Sequence, residues 1–195
     1  MGKALEEMTL EELWELFPIR LTEHREEWAL WFEEEKASLT ALLPAPARIR
    51  HIGSTSVDGI WAKPIVDILA ELESPEAMQR SKEALLKNGW RCMSESKGRI
   101  SLNKGYTEEG FAEKVFHLHL RLYGDADEIL FRDQLRAHPE EAKEYEALKL
   151  SLWKKYEHDR DGYSEAKTEF ILRCLQKEKK ETARKKGPGP DGRSI

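Results

Sequence analysis

The chain has 195 residues and a formal net charge of -5, with 35% charged and 39% hydrophobic residues. Its six Trp, five Tyr and six Phe give it the bulky apolar material that disordered chains lack, so one domain with a core of its own is expected. The acidic balance argues against a general nucleic-acid binder, which needs a basic face.

No apolar run approaches the roughly 20 residues that cross a bilayer. The segment Met1–Glu7 lacks the apolar centre of a signal peptide. A cytoplasmic protein with no membrane partner is therefore expected, its oligomeric state left open. Thr9 and Glu12 stand at capping-box spacing and predict a short helix through Leu16. After Pro18 a second helix is expected from about Thr22, with Trp28, Trp31, Phe32, Leu39, Leu42 and Leu43 forming a core stripe at three- and four-residue steps. Pro44 and Pro46 break it.

Arg48–Ile52 reads as a strand feeding a loop of small residues: Gly53, Ser54, Thr55, Ser56 and Gly59. Ile65–Leu72 follows as a strand apolar enough for burial on both faces. Ser74 as cap and Pro75 at the first position start a helix that Asn88 and Gly89 end. Strands are expected over Trp90–Met93 and Arg99–Asn103, then a polar loop over 104–114. Val115–Tyr123 alternates strictly, with Phe116, Leu118, Leu120 and Leu122 on one face and Val115, His117, His119, Arg121 and Tyr123 on the other.

From Asp125 the pattern turns helical. Leu130, Phe131 and Leu135 make one short stripe. Pro139 opens a helix bearing Ala142, Tyr145, Leu148, Leu152, Trp153 and Tyr156, and a last helix carries Tyr163, Ala166, Phe170, Ile171, Cys174 and Leu175. Residues 177–195 read as a basic, disordered tail. The expectation is an α+β chain with one domain over 1–176, comprising N-terminal helices 9–43, a core 44–124 and C-terminal helices 125–176. Cys92 and Cys174, outside any metal-ligand spacing, are expected as buried thiols.

The chemistry concentrates around residues 51–71. A loop of Gly53, Ser54, Thr55 and Ser56 lets backbone amides and short hydroxyls approach an anionic group closely. Asp67 is a carboxylate in an apolar strand, which calls for a metal, a cation or hydrogen-bond donors; it is the candidate metal ligand and catalytic acid. Lys63 either meets a phosphate or is solvated. His117, His119 and Arg121 form a row of donors suited to phosphate, with His119 a second catalytic candidate; zinc is the other reading of His-x-His on a strand. His51 reads as structural. Arg132 and Lys167 come from helices that can close over the site. Ser54 and Ser56 have no base at a recognisable spacing, which sets aside a hydrolase nucleophile.

His51-Ile-Gly-Ser-Thr-Ser-Val-x-Gly59, followed by Ala62-Lys-Pro-Ile-Val-Asp-Ile68, resembles the hallmark of the GrpB family. Phe131-Arg-Asp-x-Leu-Arg-Ala-His-Pro139, Tyr145-Glu-Ala-Leu-Lys149 and Tyr163-x-x-Ala-Lys-x-x-Phe-Ile171 fit that family's C-terminal part. The resemblance implies a nucleotidyltransferase-like mixed β-sheet with flanking helices and a helical C-terminal part. In that fold a Gly-Ser loop grips a triphosphate and two carboxylates, two residues apart, hold Mg2+ for in-line attack.

Gly53, Ser54 and Asp67 match that pattern, but Leu69 stands at the second acid and Asp58 where relatives carry proline. Glu71 shares the face of Asp67 about 13 Å along the strand, at roughly 3.3 Å per residue; Asp58, on the loop, can swing in. Two expectations follow. One is a Mg2+-assisted transfer of a nucleotidyl group from a nucleoside triphosphate to an unknown acceptor. The other is a non-catalytic module that binds a nucleotide or another phosphate-bearing small molecule, or a partner, on the same fold.

Overall fold

The strict alternation of residues 115–122 sorts one strand into an apolar and a polar face, and the fold is built on that division. A computed structural model describes residues 3–125 and 127–186. The strands are β1 (Arg48–Ile52), β2 (Val66–Leu72), β3 (Arg91–Ser96), β4 (Arg99–Thr107) and β5 (Gly110–Leu122). They form one mixed sheet in the order β1-β2-β5-β4-β3, with β2 and β5 parallel and every other pair antiparallel.

The helices are α1 (Leu10–Leu16), α2 (Glu27–Leu42), α3 (Pro75–Leu86), α4 (Asp127–Ala137), α5 (Pro139–Trp153), α6 (Arg160–Glu165) and α7 (Thr168–Lys186). Trp28, Phe32 and Leu39 of α2 and Ala77, Met78 and Leu85 of α3 cover one face. There they pack on Val66, Ile68, Ala70, Ile100, Leu118 and Leu120. On the opposite face Ile129 of α4 packs on Ile52 and Leu69. Leu5 and Phe17 from the N-terminal segment pack there on Ile65, Tyr106 and Val115. The result is the expected α+β arrangement, a mixed sheet between helical layers.

Local signals account for several boundaries. Thr9 accepts from the Glu12 backbone while Glu12 reaches back to Thr9, completing the capping box of α1. Ser74 caps α3, with Pro75 at its first turn. Four expectations are corrected. The second helix begins at Glu27, because the backbone of Thr22 is taken up in a bridge to Ala62. The supposed polar loop over 104–114 is a hairpin joining β4 to β5.

Its Gly105 has φ +91°, and a Cβ there would come within 2.3 Å of the Lys114 carbonyl; only glycine admits the bulge. Residues 177–186 continue α7, tied by Lys177 to Glu141; the rest of the expected tail lies outside the described residues. Cys174 is buried, but Cys92, on the edge strand β3, is exposed.

Candidate functional site

Parallel pairing of β2 with β5 sets Asp67 beside His117, Leu69 beside His119 and Glu71 beside Arg121. The Asp67 side chain is 28% exposed, at the floor of a cleft of about 460 Å³, within the range of small-molecule sites. Gly53, Ser54, Thr55, Lys63, His117 and His119 share its walls. So do Glu128, Tyr145, Lys149, Tyr163 and Lys167 from the C-terminal helical layer.

Asp67 Oδ1 lies 3.2 Å from His117 Nδ1 and 3.9 Å from His119 Nε2. Burial alone would raise the Asp67 carboxyl, but hydrogen bonding from the two imidazoles outweighs it and holds the group ionised well below the ordinary range. Burial pushes His117 down, against the pull of Asp67. His117 is therefore neutral at pH 7, with its proton on Nδ1 facing the carboxylate. Its Nε2 is left as an acceptor, 2.8 Å from the Tyr106 hydroxyl, and that oxygen in turn accepts from Arg160 Nη1 at 2.8 Å. His119 Nδ1 faces Arg121 Nη2 at 3.4 Å. Since a guanidinium only donates, Nδ1 is the accepting atom of that contact, and Nε2 is the nitrogen turned toward Asp67.

The loop is held from both sides. Gly53 has φ +70°, and a Cβ there would fall 2.3 Å from Asp67 Oδ2; the backbone lies directly against the carboxylate. Arg132 donates to the His51 carbonyl, Arg136 to that of Ser56 and Lys143 to that of Gly59. Glu146 accepts from the Trp61 amide and Lys149 donates to the Trp61 carbonyl. His51 is structural, as expected: it is stacked on Phe32 with 4.8 Å between ring centroids and bonds Thr55 Oγ1 at 3.0 Å. Burial drives its pKa down to about 4.

Three lysines converge on the cleft. Lys167 lies 4.2 Å from the Tyr163 ring centroid, Lys63 lies 5.7 Å from it, and Lys149 lies 5.0 Å from that of Tyr145. Aromatic faces hold these ammonium groups without neutralising them. Among the described residues neither Lys63 nor Lys167 has an ion-pair partner. Burial, reinforced by neighbouring positive charges, lowers Lys63 to about 8 and Lys149 and Lys167 to about 7. The buried Tyr163 hydroxyl has no partner either.

Several expected site residues are engaged in other contacts. The Ser56 hydroxyl is spent on the Gly53 carbonyl at 2.6 Å. The Thr55 hydroxyl meets His51. Arg121 is 5% exposed, is paired with Glu128 at 3.0 Å, and does not itself line the cleft. Arg132 holds the loop backbone rather than a ligand, and Asp58 projects outward beside His24. Glu71 is buried against the Gly124 amide.

The donor set does not fit a carboxylate-clamped Mg2+, which needs several oxygen ligands in near-octahedral array. Asp67 Oδ1 faces imidazole N–H groups, and Leu69, fully buried under Ile129, fills the place of a second acid. Among the described residues no group of three or more His, Cys, Asp or Glu side chains is arranged to hold a metal ion.

Sequence reasoning gave no role to Tyr106, Lys149, Tyr163 or Glu128. One signal was available: Tyr145/Lys149 and Tyr163/Lys167 repeat the same four-residue aromatic-to-lysine step. On α5 that step puts Tyr145 and Lys149 on one face, and Lys167 reaches Tyr163 from the turn that follows α6.

Comparison with known proteins bears on the family and the fold. A family model described as GrpB protein matches residues 18–177. The chain is 35% identical over 162 residues to glutamate-rich protein GrpB of Alkalihalophilus pseudofirmus, covering 80% of this chain and 92% of that protein. It is 37% identical over 164 residues to UPF0157 protein YqkA of Bacillus subtilis, covering 80% of this chain and 47% of the other, so it spans about half the length of that relative. Its fold superposes on the crystal structure of conserved protein GrpB from Enterococcus faecalis with a TM-score of 0.72 and 31% identity, over 84% of this chain and 99% of that one.

Proposed function

The chain belongs to the GrpB family, and from the lysine-lined cleft we propose that it binds a phosphate-bearing small molecule of the nucleotide class. The convergence of Lys63, Lys149 and Lys167 carries this reading. Three desolvated ammonium groups repel one another, and a polyanion removes that repulsion while accepting hydrogen bonds from each. Gly53 and Ser54 offer backbone and hydroxyl donors on one side, and the Tyr163 hydroxyl another on the opposite side.

A second reading, transfer of a nucleotidyl group to an acceptor hydroxyl, is favoured by the chain from Asp67 through His117 to Tyr106. Here His117 is the base that takes the acceptor's proton, and Asp67 positions it by keeping its own proton on Nδ1. No carboxylate pair is required.

Calorimetric titration with ATP, GTP, CTP, UTP and tripolyphosphate, each with and without Mg2+, tests the binding. The expected result is Mg2+-independent binding that Lys167→Met weakens by at least about tenfold. Absence of heat with every one of these ligands would sink it. For transfer, the test is label from an α-phosphate-labelled triphosphate appearing in product. His117→Gln should retain binding and lose that label; binding without label in the wild type would leave the non-catalytic module.

A further inference from the structure

A second cavity, of about 540 Å³, adjoins the first and shares Lys63, His117 and Ser164 with it. Where three lysines line the first, this one joins apolar side chains of the N-terminal segment to the charged Glu6, Arg91, Arg160 and Asp161. Leu10, Leu13, Trp14 and Met93 line it, together with the buried Phe17 and Tyr106, whose rings pack on each other with 4.7 Å between centroids. Leu10 is 60% and Met93 49% exposed, large apolar side chains left in contact with water. Helix α1 buries none of its residues and lies before residue 18, where the family match begins, so this wall is not part of the shared segment.

Two residues of the cavity wall carry buried polar atoms without partners, Arg160 Nη2 and Asn103 Oδ1. One is a donor and the other an acceptor, and a hydroxyl supplies the complement of either. The Tyr106–His117 pair stands where the two cavities meet.

We propose that the second cavity holds the other reactant, a small molecule with a ring-bearing apolar body and a free hydroxyl directed at Tyr106 and His117. The indole of Trp14, beside the exposed side chains of Leu10 and Met93, favours a ring over a flexible chain. This inference rests on the transfer reading. In the step it serves, the acceptor oxygen bonds to the α-phosphorus of a nucleoside triphosphate while the bond from that phosphorus to the bridging oxygen breaks. Pyrophosphate leaves with the electron pair, and the acceptor's proton ends on His117 Nε2, directly or by exchange through the Tyr106 hydroxyl.

Exposed Cys92 lies on this cavity, whereas Cys174, the other cysteine, is buried. The full chain therefore carries its own reporter. Disulfide fragments of matched reactivity bearing hydroxyphenyl, phenyl, hydroxyethyl or aminoethyl groups are equilibrated with it under mild reductant and scored by intact mass. The hydroxyphenyl fragment should be retained about tenfold over hydroxyethyl. Leu10→Lys, at a mostly exposed position that leaves the core untouched, should erase most of that preference. Equal capture of all four fragments on the wild type overturns the inference. Capture should persist with tripolyphosphate present and in Lys167→Met; displacement by tripolyphosphate means one shared site and also overturns it. Selective capture in a protein that binds no triphosphate at all shows the phosphate reading to be at fault, and the acceptor role falls with it.

Discussion

Lys167 and its two neighbours are held in a state that weakens the free protein and that a bound polyanion would relieve. Their folded-state pKa values, about 7 for Lys149 and Lys167 and about 8 for Lys63, lie below that of a lysine in the unfolded chain. The unfolded state therefore binds more protons between about pH 7 and 10.5, and the stability of the free protein rises with pH across that window. Ligand affinity runs the other way. A bound polyanion needs the charged lysines, so above pH 7 binding takes up protons and weakens by up to about tenfold per pH unit for each proton taken up. Calorimetry at pH 8 in two buffers of different ionisation heat measures that uptake; none would contradict the lysine cluster as the anion site. By the same logic Lys167→Met should stabilise the free protein by about 1 kcal/mol, read from urea unfolding. Gly53→Ala is the opposite kind of change. It strains a positive φ and drives a methyl into Asp67, so a loss of about 1–3 kcal/mol is expected, together with a changed His117 imidazole signal in NMR.

Strand β2 and helix α4 explain why the second acid is missing. Leu69 has no exposed surface and packs on Ile52 and Ile129, so this position belongs to the α4 interface rather than to the cleft. Leu69→Asp should therefore destabilise by about 3–5 kcal/mol in urea unfolding, without creating Mg2+ affinity in a calorimetric titration. A gain in Mg2+ binding at unchanged stability would revive the paired-carboxylate site. The strand that carries the site was readable because residues 115–123 alternate without a break, and Asp67 stood out in an apolar run. The β4–β5 hairpin was not, because 104–114 mixes Gly105, Gly110 and charged residues, and the bulge at Gly105 breaks the period of two. Tyr106 lay hidden in that stretch, and with it the outer end of the His117 chain. Arg121 was placed on the correct face, but a pattern of faces says nothing of partners, and Glu128 had already claimed it.

At the scale of the molecule the cleft is a seam between two layers. Gly53, Lys63, Asp67 and His117 come from the loop and sheet, while Lys149, Tyr163 and Lys167 come from the helical layer that α4 and α5 fasten to the loop carbonyls. A ligand that touches only one layer stabilises only that layer, whereas a polyanion spanning the three lysines ties the two together and links binding to global unfolding. At a free concentration 100 times its Kd such a ligand adds about 2.7 kcal/mol, which for a chain of this length raises Tm by roughly 5–10 °C. Tripolyphosphate should produce that shift in the wild type and lose most of it in Lys167→Met, even though the variant starts from a higher Tm. Hydrogen exchange gives the spatial counterpart: protection should rise both in the loop 53–63 and across Arg160–Lys167, since slowing in both requires that the bound state close the seam. Protection confined to the loop would place the anion on Gly53 and Ser54 alone and leave Lys149 and Lys167 outside the site.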